Sequence, residues 1–307
     1  MNSTIRTIST LLLFTSTLHA QAATSILFIG NSFTFGQGSA VRYHHPESVT
    51  DLNNLGIGGV PALFKSFTRQ AGLDYDVYLE TQPGSGLEFH IENRLAQIGR
   101  RPWDTVVMHG QSTLDFGAPG NVDKLVSTSG EIADIFLQQN PDVDIYLTAT
   151  WSRADQVDRS DSPWAGTPIQ QMAVDVRAGN ELAANSVAAI RSVNPVGEAW
   201  NRAMQTGVAD DNPYDGIDVD KLDLWTYDHY HASTFGYYLH ALVVFGNVTG
   251  IDPRALGAVE CSGFELGMSQ NQIRDLQQVA YNQLASEGRV SAAPFAPAGN
   301  IASAPCQ

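Results

Sequence analysis

Apolar positions along this chain follow two different rhythms. Short apolar runs at 25–30 (SILFIG), 76–81 (DVYLET), 103–108 (WDTVVM) and 144–150 (DIYLTAT) have the length and composition of buried strands. Between the first two, residues 60–71 set Val60, Leu63, Phe64, Phe67 and Ala71 on one helical stripe, closed by Gly72. The spacing also predicts helices over 88–98, 129–139, 167–191, 196–206, 235–248 and 268–285. Residues 37–59 and 152–166 are polar or glycine-rich and read as loops. Strands alternating with helices predict a mainly parallel sheet covered on both faces. In such sheets ligands bind at the carboxyl ends of the strands, and Ser32, Gly84 and Gln111 each closely follow a strand. No internal repeat and no second domain is evident.

The two ends of the chain read differently. Arg6, the apolar and hydroxyl-rich run 8–19 and Ala20-Gln21-Ala22 have the layout of a secretory signal peptide, expected over 1–22. Export to the periplasm or the medium is the expectation. No later run is long enough for a membrane helix, so membrane insertion is not expected. The tail 289–307 is rich in Ala, Pro and Ser and is expected to be poorly ordered. A net charge of −15 argues against nucleic-acid or anionic-membrane partners and names no substrate. The two cysteines, Cys261 and Cys306, can pair in an oxidising compartment or remain free thiols.

Candidate chemistry lies in two distant stretches. Ser32 stands just past a strand in Gly30-Asn31-Ser32, where a tight turn exposes a hydroxyl, although Gly and Asn also favour turns for local reasons. A serine nucleophile needs a base, and the base needs an orienting acid. Asp228 and His231, three residues apart in WTYDHYHASTFGYYL, supply that pair, with Ser233 or Thr234 the better cap for the following helix. Asp228, His229 and His231 could instead hold zinc, but no further ligand can be named for them; His44-His45 is the other histidine pair. The acidic stretch 210–223 lacks calcium-loop spacing. Gly-x-Ser-x-Gly, GxxxxGK, a complete GxGxxG and HExxH are all absent. Trp151, Trp164 and Trp225 read first as packing residues and second as platforms for sugar rings.

The ordered pair FIGNSFT and Asp228-x-x-His231, the latter followed by ASTFGYYLHALVVFGNVTGIDP, resembles the first and last blocks of SGNH (GDSL-type) hydrolases over residues 25–253. Asn31 stands where that family carries Asp. The resemblance implies a three-layer α/β/α sandwich with a flavodoxin-like five-stranded sheet, a hydrolase domain over 23–288, and a Ser32–His231–Asp228 triad without a cofactor or a metal. It further implies an oxyanion hole from the Ser32 amide, a glycine amide after the second strand (Gly84, with Gly86 the alternative) and a third donor after the third. The usual Gly-x-Asn-Asp is missing there. Gln111 in HGQST is the candidate donor and His109 its competitor. The expected activity is hydrolysis of a short-chain acyl ester, with an acetylated carbohydrate as one candidate. A lipase or thioesterase, a non-catalytic glycan-binding relative and a metal-dependent hydrolase are the alternatives.

Overall fold

The computed structural model describes residues 22–291 and Cys306. The expected signal peptide and most of the tail lie outside the described residues. Six parallel strands form one sheet: β1 (Thr24–Gly30), β2 (Thr50–Asp51), β3 (Tyr75–Thr81), β4 (Thr105–Met108), β5 (Asp144–Ala149) and β6 (Ile190–Pro195). Their order across the sheet is β2-β3-β1-β4-β5-β6. The helices are α1 (Ser32–Phe35), α2 (Gly59–Gln70), α3 (Leu87–Asn93), α4 (Leu95–Ile98), α5 (Asp123–Leu137), α6 (Gln171–Ser186), α7 (Val196–Gln205), α8 (Thr234–Thr249), α9 (Cys261–Glu265) and α10 (Gln270–Ser286).

The alternation of side chains along β1 divides the core. Ile26 and Phe28 face one apolar layer, built with α2, α7, α8 and α10; Leu27 and Ile29 face the other, built with α3–α6. The three-layer expectation therefore holds. The sheet has six strands rather than five. β2 is two residues at the edge; the other five strands keep the flavodoxin-like order. Residues 190–195, of which the sequence pattern places 190–191 in a helix and leaves 192–195 unassigned, are a buried parallel strand beside β5. The region 88–98 is two helices broken at Arg94. Cys261 and Cys306 form a disulfide with Cα atoms 5.4 Å apart, which ties the tail to α9.

Register brings three strand ends to one edge. Gly30 lies opposite Thr81, and Ile29 opposite Met108, so β3, β1 and β4 end side by side. The loops bearing Ser32, Gly84 and Gln111 leave from that one edge, as the topology rule demands.

Candidate active site

The turn after β1 is fixed by its own polar groups. Asn31 caps the single turn of α1: its Oδ1 accepts from the Phe33 amide at 3.1 Å, and its carbonyl accepts from Thr34 and Phe35. That leaves the Ser32 amide without a partner in the turn. Ser32 itself is only 5% exposed. The Asn31 Nδ2 donates to the Ser85 carbonyl at 2.8 Å and to the Gly110 carbonyl at 3.4 Å. One side chain thus ties the loops after β1, β3 and β4 together. Gly30 is required by close approach: a Cβ there would meet Thr34 Oγ1 at 2.3 Å and His109 Nε2 at 2.5 Å.

The loop before α8 carries Asp228 and His231. Residues Trp225 and Ala232 pair as an antiparallel bridge, and the Thr226 amide donates to the His231 carbonyl at 2.8 Å. Ser233 caps α8, as its sequence position suggested. His231 Nδ1 donates to Asp228 Oδ2 at 2.6 Å. The other carboxylate oxygen accepts from Thr226 Oγ1 and from the Tyr230 and His231 amides at 2.7, 3.0 and 2.8 Å. Partial burial opposes the Asp228 charge, but bonds from His231, Thr226 and Tyr230 outweigh it and bring the carboxyl down to about 2. His229 instead packs its ring against Tyr214 at 4.3 Å, with its backbone at φ +52°. The structure does not gather it with Asp228 and His231.

An aromatic column joins the two halves. The Phe33 ring, next in the chain to Ser32, lies 5.8 Å from the His231 imidazole and stacks on Trp151 at 4.1 Å. Trp151 stacks in turn on Trp200 at 4.8 Å, and its Nε1 donates to the Tyr230 carbonyl. From beneath, Tyr237 of α8 aims its hydroxyl at the Ser32 and Gln37 carbonyls, 3.0 and 3.2 Å away. Trp151, Trp164 and Trp225 are all buried, so they are packing residues and not sugar platforms.

The remaining candidates line the same edge. Gly84 holds φ +68°, a conformation that favours glycine, and its carbonyl accepts from Gln111 Nε2. Gly86 precedes α3, and a Cβ there would strike the Glu88 carboxylate. His109 is enclosed: Nδ1 donates to the Gly110 carbonyl at 2.9 Å and Nε2 accepts from Thr34 Oγ1 at 2.8 Å. Burial lowers its pKa to about 4, so the ring is neutral and both nitrogens are used. Sequence reasoning missed a buried group below this turn. Glu80 bonds His90 Nδ1, and His90 Nε2 lies 3.1 Å from Ser85 Oγ. Both Glu80 and His90 are fully buried. A carboxylate at an inward strand position was the available signal.

Compared by sequence, the chain matches no protein-family model and no curated protein. Its fold does match solved structures. A DUF4886 family protein from Bacteroides uniformis aligns with a TM-score of 0.59 at 16% identity, covering 88% of this chain and 98% of that one. A protein from Parabacteroides merdae named as a GDSL-like lipase aligns with a TM-score of 0.54, also at 16% identity, covering 76% and 98%. At such identities the likeness is one of fold. The chain has the fold of SGNH/GDSL-type hydrolases, which supports the resemblance carried by FIGNSFT and Asp228-x-x-His231.

Proposed function

We propose that this protein is an exported serine esterase. The observation that carries the reading is the Asp228–His231 pair, bonded at 2.6 Å and packed through Phe33 against the turn that bears Ser32. In the mechanism we infer, His231 Nε2 takes the Ser32 proton as Oγ attacks the ester carbonyl. Asp228 fixes the tautomer that leaves Nε2 bare and stabilises the imidazolium. His231 then protonates the departing alcohol. A water, deprotonated by the same ring, releases the acid from the acyl-serine.

The oxyanion falls to the Ser32 amide and the Gly84 amide, with Gln111 as third donor. A side-chain amide carries two hydrogens. One of Gln111's is committed to the Gly84 carbonyl, which shapes that turn; the second is left for the oxyanion. His109, with both nitrogens engaged, supports the floor of the site instead.

A short acyl group fits this reading best. Phe33 and Trp151 are both buried and fill the space behind the Ser32 turn, where a long acyl chain would need a channel. Tyr227, beside Asp228, and Phe116, five residues beyond Gln111, are 87% and 80% exposed. Both rings sit in the two segments that carry Asp228 and Gln111, and an exposed ring is an apt platform for the apolar face of a sugar, so an acylated carbohydrate is the substrate class we propose. The Cys261–Cys306 disulfide supports export to an oxidising compartment.

The test is hydrolysis of a short-chain aryl ester, with fluorophosphonate labelling alongside. Wild type is expected to turn over and to label at Ser32, and Ser32→Ala to do neither. Full activity in Ser32→Ala overturns the proposal.

A further inference from the structure

A second group of chemistry-bearing residues lies apart from the triad. The segment after α1 runs through a short 3-10 turn, Ala40–Tyr43, into His44 and His45. Neighbouring residues in an extended chain point to opposite sides. Here His45 adopts the left-handed conformation, φ +42°, and the two imidazoles converge with ring centroids 4.4 Å apart. Glu265, the last residue of α9, meets them from the other side. Its Oε2 is 2.7 Å from His45 Nε2 and 3.8 Å from His44 Nε2.

We propose that His44, His45 and Glu265 form a binding site for one divalent transition-metal ion, with zinc the best fit. The three donor atoms lie within 4.8 Å of one another. Donors about 2.0–2.2 Å from a tetrahedral zinc stand roughly 3.3–3.6 Å apart. Two of the three donor pairs, at 2.7 and 3.8 Å, bracket that spacing and the third lies within 4.8 Å, so side-chain shifts of about 1 Å seat the ion, which takes the place of the proton between His45 Nε2 and Glu265. The His44 side chain is 5% exposed, and its Nε2 is buried with no hydrogen-bond partner. Burying a polar atom without a partner is costly, and an ion between the rings and Glu265 removes that cost. Glu47 accepts from His45 Nδ1 at 2.9 Å, which orients the ring and leaves Nε2 towards Glu265. Carboxylates commonly hold metal-ligating histidines this way. Two imidazoles with one carboxylate select zinc or its transition-metal neighbours over calcium and magnesium, which take oxygen.

A cleft of about 420 Å³ adjoins the donors, lined in part by Lys65, Arg69 and the disulfide, so a fourth position can be filled by water. The ion would clamp the segment that follows the Ser32 turn onto α9 and its disulfide-tied tail.

The test uses the full exported chain, stripped with a chelator, dialysed and titrated with zinc chloride by calorimetry. One ion per chain is expected, and zinc should raise the melting temperature. Glu265→Gln is isosteric at a side chain 30% exposed, and His45→Ala changes a partly exposed residue. Each should weaken zinc binding at least tenfold, and Glu47→Ala by about ten- to a hundredfold. His231→Ala should still bind one ion, which separates this site from the triad. Absence of stoichiometric binding by wild type overturns the proposal. So does binding that survives both Glu265→Gln and His45→Ala, or that disappears in His231→Ala.

Discussion

The side-chain amide of Asn31 donates to the main-chain oxygen of Ser85 across 2.8 Å, and so holds the turn after β1 to the turn after β3. The same nitrogen reaches Gly110 beyond β4. Asn31 therefore holds together the loops that carry Ser32 and Gly84, the two residues whose amides we propose as oxyanion donors. Asn31→Ala leaves two carbonyls short of a donor, at a cost of about 1–3 kcal/mol for the buried one. We expect kcat on an aryl ester to fall about ten- to a hundredfold with KM little changed, because misplaced donors weaken transition-state binding. Wild-type kcat in this variant would rule the positioning role out.

Asp228 offers a sharper test of the triad. Its Oδ1 already takes three donors, so Asp228→Asn should keep the side-chain oxygen there and turn an NH2 towards His231. The ring would then present a bare Nδ1 to that NH2 and carry its proton on Nε2, which can no longer accept from Ser32. A fall in kcat of about 10²–10⁴ is expected, with the fold intact. The carboxylate also makes acid stability predictable. Its folded pKa, about 2, lies below the unfolded value near 3.8. The stabilisation is complete above about pH 4 and is lost as pH falls towards 2. Asp228→Asn should remove that part of the acid sensitivity, read by urea unfolding across this range.

Two buried histidines shape stability at higher pH. Burial lowers His109 to about 4 and His240 to about 3, and His240 Nδ1 has no hydrogen-bond partner. Below the unfolded value near 6.5 the unfolded chain binds protons that the folded chain refuses. Stability therefore rises with pH between about 4 and 6.5 for His109 and between about 3 and 6.5 for His240, by at most about 1.4 kcal/mol per pH unit each. Glu198 works the other way. Burial raises its pKa to about 7, so the folded state holds a proton that the unfolded state has released. His240→Leu should flatten the stability–pH slope, and Glu198→Gln should steepen it. Parallel slopes for wild type and both variants would refute this assignment.

Much of the site was legible in the sequence because its parts are local. A strand that ends in Gly-Asn-Ser and an Asp-x-x-His before a capped helix each fold within a few residues. The layered architecture was legible for the same reason, through the two apolar periods. β6 was not, because its buried face carries polar residues. Ser192 and Asn194 accept from Asn247 of α8, and Asn194 donates to Thr148 of β5, all contacts from distant segments. No apolar alternation marks such a strand. β2 escaped because two residues carry no period. The bond of Gln111 to Gly84 and the enclosure of His109 depend on which strands are neighbours, and composition does not reveal that order.

The buried Glu80–His90–Ser85 group ends on the same Ser85 that Asn31 holds, and this makes its role testable. Glu80 also meets Asn53 Nδ2 at 3.1 Å and Arg94 at 3.3 Å, so its charge is matched on every side. Glu80→Gln would set an amide donor against His90 or Arg94 and remove the carboxylate that Arg94 meets. Because Arg94 is part exposed, the cost is that of a buried polar group left without its partner, about 1–3 kcal/mol. If the group acts only as a local prop, its loss and the loss of Asn31 should add. If it works by fixing the Ser85 turn, then once Glu80 is gone the Asn31 bond has less left to hold. We expect the Glu80→Gln, Asn31→Ala double variant to be less damaged than the sum of the singles. The coupling should be about 0.5–3 kcal/mol in urea unfolding, and it should also appear in kcat. Strict additivity in both readouts would confine Glu80 to stability and leave Asn31 alone to position the turn.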